Sequence, residues 1–222
     1  MTTENKHRTM VAPSILSADF GRMNEEIARM KQCGADIIHC DVMDGIFVPN
    51  ITFGFKMISD IKKKTDMPLD VHLMIDKPER YAQRFIDAGA DWLTIHAEAT
   101  SELIPTLELI KSSGIKCGAV ISPDTSVRVL RECFPICDIV LLMSVYPGFG
   151  GQKFIERSLE RMTALKAMRD ELNENALLEI DGGVTAENAA AIVRAGADVL
   201  VAGNTLFSAA HPEKVIEEFH AL

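Results

Sequence analysis

The sequence has no long apolar run and few basic residues. No stretch approaches the roughly 20 consecutive apolar residues of a membrane-spanning helix. Lysine and arginine number 23 against 32 acidic residues, a formal net charge of -9, and the longest basic run is Lys62-Lys63-Lys64. Because binding to nucleic acid or to an anionic membrane requires clustered cations, we expect neither as a partner.

Cysteine is also scarce. The five cysteines are Cys33, Cys40, Cys117, Cys133 and Cys137. They include no Cys-x-x-Cys pair, so we interpret them as reduced thiols rather than as a disulfide framework. Residues 1–9 form a polar N-terminal tail without the apolar segment of a secretory signal. These features predict a cytoplasmic protein.

Short apolar runs alternate with longer amphipathic stretches along the whole chain. The predicted strands are 10–14, 37–41, 69–73, 92–96, 116–121, 139–143, 177–181 and 199–202. The predicted helices include 23–32, 81–88, 103–112, 159–172 and 186–195. Eight strand–helix units of about 28 residues would fill the chain, which predicts one (β/α)₈ TIM barrel domain over 1–222. A doubly wound open sheet is the alternative.

Polar side chains cluster where these strands end. The second strand ends in His39-x-Asp41, the third contains Asp70-x-His72, and the seventh ends in Asp181. Active sites of such barrels lie at the carboxyl ends of the strands. Two imidazoles and two carboxylates suit a divalent ion such as Zn²⁺, Fe²⁺ or Mn²⁺. Asp70 lies deeper and would either orient a ligand or form an ordinary buried hydrogen bond.

Asp41 and Asp181 are also candidates for proton transfer. Their strands are separated by the barrel mouth, so the two carboxylates can approach a bound substrate from opposite faces. Such a pair suits removal of a proton next to a carbonyl on one face and its return on the other. A metal on the substrate's oxygens would stabilise the enediolate between these steps. Metal binding alone would also explain both residues, and the pattern leaves both interpretations open.

Glycines follow the last three predicted strands. They lie within 147–152, at Gly182-Gly183 and at Gly203-Asn204. Glycine lets backbone N–H groups close on an anion, and barrels commonly bind phosphate after strands seven and eight, at the start of a short helix. A helix beginning at Asn204 would complete this arrangement. We therefore predict phosphate binding by backbone dipoles, despite the negative net charge.

Three methionines also stand at the strand ends, namely Met43, Met74 and Met143. They would form an apolar cap that excludes water around an enediolate. Ordinary packing inside the barrel explains their positions equally well.

Five motifs occur in order along the chain: APSILSADF at 12–20, HCDVMDGIFVPN at 39–50, DVHLM at 70–74, MSVYPGFGGQKF at 143–154 and DGG at 181–183. Together they resemble the signatures of the ribulose-phosphate 3-epimerase family. The resemblance implies a (β/α)₈ enzyme of the pentose phosphate pathway that interconverts D-ribulose 5-phosphate and D-xylulose 5-phosphate. It also implies a homo-oligomer, a dimer or a hexamer.

The resemblance further implies residue roles. A divalent metal ion (Zn²⁺, Fe²⁺, Mn²⁺ or Co²⁺) would be held by His39, Asp41, His72 and Asp181, and proton transfer would fall to Asp41 and Asp181. Substrate binding would involve Ser14, His72, Gly148, Phe149, Gly150, Gly151, Asp181, Gly182, Gly183, Gly203 and Asn204. The apolar cap would be Met43, Met74 and Met143.

Two stretches depart from the family pattern. The chain has Gly203-Asn204 where Gly-Ser is usual, and Ser122-Pro123-Asp124-Thr125 where Asn-Pro-x-Thr is usual, whereas His96-Ala97-Glu98 fits. These departures leave the proton chemistry intact but bear on which sugar is used. An epimerase acting on D-allulose 6-phosphate is therefore the second hypothesis, and a sugar-phosphate-binding barrel without catalytic activity is the third.

Overall fold

The computed structural model describes residues 8–222. Of the predicted N-terminal tail, residues 1–7 lie outside the described residues. Arg8 is exposed and forms an ion pair with Asp36, while Thr9 is buried just before the first strand.

Eight parallel strands form one sheet. They are β1 (Met10–Pro13), β2 (Ile38–Met43), β3 (Leu69–Met74), β4 (Trp92–His96), β5 (Lys116–Ile121), β6 (Ile139–Met143), β7 (Leu177–Asp181) and β8 (Val199–Ala202). Neighbours pair in the order β1-β8-β7-β6-β5-β4-β3-β2. An isolated parallel bridge between Ser14 and His39 joins the two edges. The sheet is thus a nearly closed barrel, and the predicted (β/α)₈ fold is confirmed.

Helices surround the barrel. They are α1 (Met23–Gln32), α2 (Phe55–Lys62), α3 (Ala82–Ala88), α4 (Leu103–Ser112), α5 (Ser158–Leu172), α6 (Ala186–Ala195), α7 (Asn204–Phe207) and α8 (Pro212–His220). The short helix expected at Asn204 is therefore present. Among residues 8–222, no helix combines the length and the apolar character needed to cross a membrane.

One unit departs from regular alternation. Between β5 and β6 the chain forms a 3₁₀ helix at Val127–Leu130 and a series of turns. The segment contains Pro123 and Pro135, and proline lacks the N–H that an α-helix interior needs. Buried Leu130 and Phe134 attach this segment to the barrel in place of an α-helix.

The strands point alternate side chains in opposite directions. In β2, Cys40 and Val42 belong to the large hydrophobic cluster that also contains helix residues such as Ile58, whereas His39 and Asp41 contact polar groups of β3. A second apolar cluster fills the barrel near the amino ends of the strands, formed by Ala12, Ile37, Trp92, Ile139, Val199 and Val201. The polar residues therefore gather toward the carboxyl end, above an apolar layer.

Candidate metal and substrate site

Strand register brings the predicted metal ligands together. His39 of β2 pairs with Asp70 of β3, and Asp41 pairs with His72. Asp181 is the last residue of β7. One ligand atom each from His39, Asp41, His72 and Asp181 can be chosen so that all four lie within 4.8 Å of one another. The four residues thus form one compact group of two imidazoles and two carboxylates.

The His39 imidazole has one satisfied and one unsatisfied nitrogen. Its Nδ1 lies 2.5 Å from Asp70 Oδ2, so Asp70 orients the ring. Its buried Nε2 has no hydrogen-bond partner and lies 3.4 Å from Asp41 Oδ1 and 3.9 Å from Asp181 Oδ2. An imidazole oriented by a carboxylate at one nitrogen, with its other nitrogen unpaired and facing two carboxylates, is suited to bind a divalent cation through that second nitrogen.

Asp41 is held by two further groups. Ser14 donates a hydrogen bond from its hydroxyl to Asp41 Oδ2 at 2.6 Å, and His72 Nδ1 lies 3.1 Å from Asp41 Oδ1. Ser14 is placed there because β1 ends beside β2. The Asp41 side chain therefore has a fixed orientation at the base of the site.

The charges in this group push the pKa values of the two carboxyl groups apart. Burial by itself would raise the pKa of Asp41, but the imidazoles of His39 and His72 hold it well below its usual range. Burial and the neighbouring carboxylate of Asp41 raise the pKa of Asp181 to about 7. Burial also opposes a charge on His39, yet Asp41 and Asp70 raise the pKa of its imidazole well above the ordinary value.

A cavity of about 440 Å³ opens above these carboxylates. Its wall contains Asp41 and Asp181 together with the other predicted substrate and cap residues Ser14, Gly148, Phe149, Gly150, Gly151, Gly182, Gly183, Gly203, Asn204, Met43, Met74 and Met143. His39 and His72 are fully buried and do not line it. Of the predicted substrate-binding residues, His72 alone is off the cavity wall.

The glycine-containing loops approach one another closely on one side of this cavity. A Cβ at Gly183 would lie 2.4 Å from the backbone nitrogen of Phe154, and a Cβ at Gly151 would lie 2.7 Å from the side-chain nitrogen of Asn204. Both glycines have positive φ, +66° and +73°, which favours glycine. Among the described residues that line the cavity, Lys153 is the only basic one. These two positions therefore leave no room for a side chain, and Lys153 supplies one positive charge on the same cavity wall.

The profile of the ribulose-phosphate 3 epimerase family matches residues 10–207. A ribulose-phosphate 3-epimerase of Bacillus subtilis is 50% identical over 209 residues, covering 94% of this chain and 96% of the relative. One of Aquifex aeolicus is 50% identical over 200 residues, covering 90% of each. This chain belongs to the ribulose-phosphate 3-epimerase family.

Solved structures outside the ribulose-phosphate 3-epimerase family share the fold. A 3-keto-L-gulonate-6-phosphate decarboxylase from Vibrio cholerae aligns with a TM-score of 0.74 at 15% identity, covering 96% of each chain. A 3-hexulose-6-phosphate synthase aligns with a TM-score of 0.65 at 20% identity, covering 96% of this chain and 98% of its own. At such identities the similarity concerns the barrel alone.

Two buried polar residues near the four ligands, Glu179 and His96, are not among the predicted site residues. Glu179 is fully buried, and with His39 and Asp70 it forms a second group whose ligand atoms lie within 4.8 Å of one another. His96, at the end of β4, places its Nε2 2.9 Å from His72 Nε2. Strand alternation predicts the direction of Glu179, two residues before Asp181. The contact between His72 and His96 could not be predicted in this way, because it depends on how neighbouring strands pair in the folded barrel.

Proposed function

We propose that this chain interconverts D-ribulose 5-phosphate and D-xylulose 5-phosphate by moving the proton at C3. The observation that carries the proposal is a pair of carboxylates, Asp41 and Asp181, on separate strands at the base of one cavity. A cavity of about 440 Å³ falls within the range of small-molecule sites. The names of the relatives that are 50% identical support the same substrate.

The unequal carboxyl groups suit a two-sided proton transfer. Asp41, whose pKa is low, accepts the C3 proton from one face. The electrons of the C–H bond form the C2–C3 double bond while the π electrons of the C2 carbonyl move onto its oxygen, which gives an enediolate. Asp181, whose pKa is about 7, returns a proton to C3 from the opposite face, and the reverse reaction exchanges the roles. Pairs of groups with pKa values pushed apart are typical of acid–base catalysis. Met43, Met74 and Met143 would keep water from the enediolate.

A divalent ion (Zn²⁺, Fe²⁺, Mn²⁺ or Co²⁺) would be held by His39, Asp41, His72 and Asp181. The unpartnered His39 Nε2 between two carboxylates supports this ligand set. When bound, the ion supplies positive charge that offsets the negative charge developing on the substrate's oxygens. Removal of the metal with a chelator should abolish turnover, and metal analysis of the protein before chelation would identify the ion.

The substrate's phosphate would lie at the glycine loops. Backbone N–H groups near Gly148–Gly151, Gly182–Gly183 and Gly203 can donate to it, and α7 begins at Asn204 beside them. Assaying pentulose and hexulose phosphates on the same preparation distinguishes this proposal from D-allulose-6-phosphate 3-epimerase activity. The retained carboxylate pair argues against a barrel that binds a sugar phosphate without turning it over.

Exchange of the C3 proton with solvent tests the carboxylate assignment. Asp41→Asn and Asp181→Asn should each slow interconversion by about 10²–10⁴-fold. In D₂O, each variant that retains metal should still exchange the C3 proton of one epimer, the one whose proton faces the remaining carboxylate. Glu156→Gln, which removes a carboxylate from the cavity wall, is the matched control and should keep full turnover. Undiminished interconversion in both aspartate variants would refute the assignment.

We also propose a cytoplasmic homo-oligomer, a dimer or a hexamer, in which each chain is a single domain. The family resemblance supports this, as do Ile46 and Ile51, which are 76% and 74% exposed in the segment after β2. Sedimentation at several protein concentrations would measure the state, and a monomer throughout would refute it.

A further inference from the structure

A line of side chains runs from the candidate metal site toward the loop after β5. His72 Nε2 lies 2.9 Å from His96 Nε2, and His96 Nδ1 lies 3.1 Å from Glu98 Oε2. Both imidazoles are fully buried, and the Glu98 side chain is 25% exposed. The proposed function assigns a role to His72 alone among these three residues.

The positions of the protons along this line depend on one another. A nitrogen that binds a cation carries no proton, so with Nδ1 of His72 facing the metal site its single ring proton is on Nε2. The 2.9 Å contact between the two Nε2 atoms accommodates one proton, so Nε2 of His96 accepts. His96 then carries its own proton on Nδ1, where it needs an acceptor. Glu98 Oε2 is that acceptor.

Glu98 is held in place by its other oxygen. Its Oε1 accepts a hydrogen bond from the backbone N–H of Ser122 at 2.7 Å and another from the hydroxyl of Thr125. The Ser122 N–H can only donate, so an oxygen must occupy that position. The hydroxyl of Ser122 lies 3.5 Å from His96 Nδ1, which is long for a hydrogen bond that would replace Glu98.

We propose that Glu98, acting through His96, fixes His72 in the tautomer whose Nδ1 faces the metal site. The inference rests on the proposed metal site and adds two positioning residues to it. Outer partners of metal-bound histidines commonly fix the ring's orientation and tautomer. In this chain the partner carboxylate is that of Glu98, which lies directly after β4 and acts on His72 through the imidazole of His96.

Glu98→Gln should move the ring proton of both His96 and His72 to the other nitrogen of each imidazole. The Ser122 N–H requires the amide oxygen on its side, so the amide NH₂ faces His96 Nδ1. That nitrogen then becomes an acceptor, and the His96 proton moves to Nε2. Nε2 of His72 must accept it, which places the His72 proton on Nδ1, where it competes with the metal. The substitution nearly preserves the size of the side chain, so packing changes little.

Two measurements test the proposal with Zn²⁺ as the probe. Competition with a chromophoric chelator should show Zn²⁺ affinity about 10–100-fold lower in Glu98→Gln than in the unaltered protein. Long-range proton–nitrogen correlation spectra of the unaltered, Zn²⁺-loaded protein should show His72 protonated at Nε2 and His96 protonated at Nδ1. Asp124→Asn, which removes an exposed carboxylate from the loop after β5 that contacts Glu98 through Ser122 and Thr125, is the control and should leave Zn²⁺ affinity unchanged.

The outcomes separate the inference from the metal site beneath it. If the unaltered protein binds no Zn²⁺, the metal site is refuted and the inference with it. If the unaltered protein binds Zn²⁺ and Glu98→Gln binds it equally well, or if His72 in the loaded protein is protonated at Nδ1, the positioning role is wrong and the metal site stands. The spectra need only the unaltered protein, so they can refute the positioning role even where Glu98→Gln does not fold.

Discussion

Replacing Gly183 with alanine should both destabilise the barrel and weaken substrate binding. A Cβ at this position would lie 2.4 Å from the backbone nitrogen of Phe154 and 3.0 Å from the carbonyl oxygen of Gln152. Ordinary contacts between non-bonded heavy atoms are about 3.5–4.0 Å. Both neighbours are backbone atoms that no side-chain rotation can move, so the loop after β6 must retreat by about 1 Å. This loop forms part of the cavity wall.

The expected cost has two parts. Gly183 has a φ of +66°, and a left-handed backbone costs a non-glycine residue about 1–2 kcal/mol. Forcing an extra methyl group into a filled space adds about 1–3 kcal/mol. The sum is about 2–5 kcal/mol of unfolding free energy. In a chain of this length each kcal/mol lowers Tm by about 2–4 °C, so Gly183→Ala should lower Tm by about 4–20 °C.

Gly114→Ala separates the two contributions. Gly114 has a φ of +83°, and a Cβ there would have no neighbour within 4 Å. It should therefore lose only the backbone part, about 1–2 kcal/mol. Differential scanning calorimetry gives both Tm values, and steady-state kinetics should show a raised KM in Gly183→Ala alone. Equal losses of Tm in the two variants would show that Phe154 does not obstruct the methyl group, and the reasoning from the contact would be wrong.

Three further predictions concern charge and hydrogen bonding. Lys153→Met should raise KM for the sugar phosphate by about two- to fivefold, the effect of one exposed ion pair, with kcat unchanged; an unaltered KM contradicts it. Asn204→Ala should raise KM by about tenfold or more because it removes an amide that we expect to donate to the phosphate. Asn175→Ala, an exposed change outside the cavity, should leave KM unchanged, and equal KM values in the two variants would contradict the role of Asn204. Burial opposes the charge on Glu98, but hydrogen bonds from His96, Thr125 and Ser122 lower the pKa of Glu98 from 4.5 to about 2. A carboxyl group whose pKa is lower in the folded than in the unfolded protein stabilises the fold at pH values above its unfolded pKa. The urea midpoint of the unaltered protein should therefore exceed that of Glu98→Gln by its full amount above pH 4.5, and the difference should shrink toward pH 2. A difference that does not change with pH would refute the hydrogen bond between His96 and an ionised Glu98.

Strand positions and the barrel were predictable from the sequence because apolar runs and amphipathic stretches alternate regularly. The bounds of the helix Phe55–Lys62 were not predicted, since the helix is short and follows a long loop. The 3₁₀ helix and turns between β5 and β6 were also not predicted. The apolar residues Leu130 and Phe134 of this connection are buried as helix residues would be, but its prolines restrict it to 3₁₀ turns.

Much of the candidate site was visible as residue types at strand ends. Side chains two residues apart on a strand share a face, which puts His39 with Asp41 and Asp70 with His72, and the structure brings His39, Asp41 and His72 together with Asp181. Contacts between strands far apart in sequence were not visible. The His72–His96 contact depends on the register of β3 with β4 and on ring orientation, neither of which a single sequence specifies.

The distribution of charge explains how a chain with a net charge of -9 can receive an anion. Four carboxyl groups meet inside the barrel, at Asp41, Asp70, Glu179 and Asp181. Burial and neighbouring carboxylates raise the pKa of Asp181 to about 7 and that of Glu179 well above its ordinary value, which lowers the negative charge at the base when no metal ion is bound. The glycine loops and Lys153 form the cavity wall above. We expect a phosphate held there by N–H groups to lie away from the acidic base, with the reacting carbons between the two.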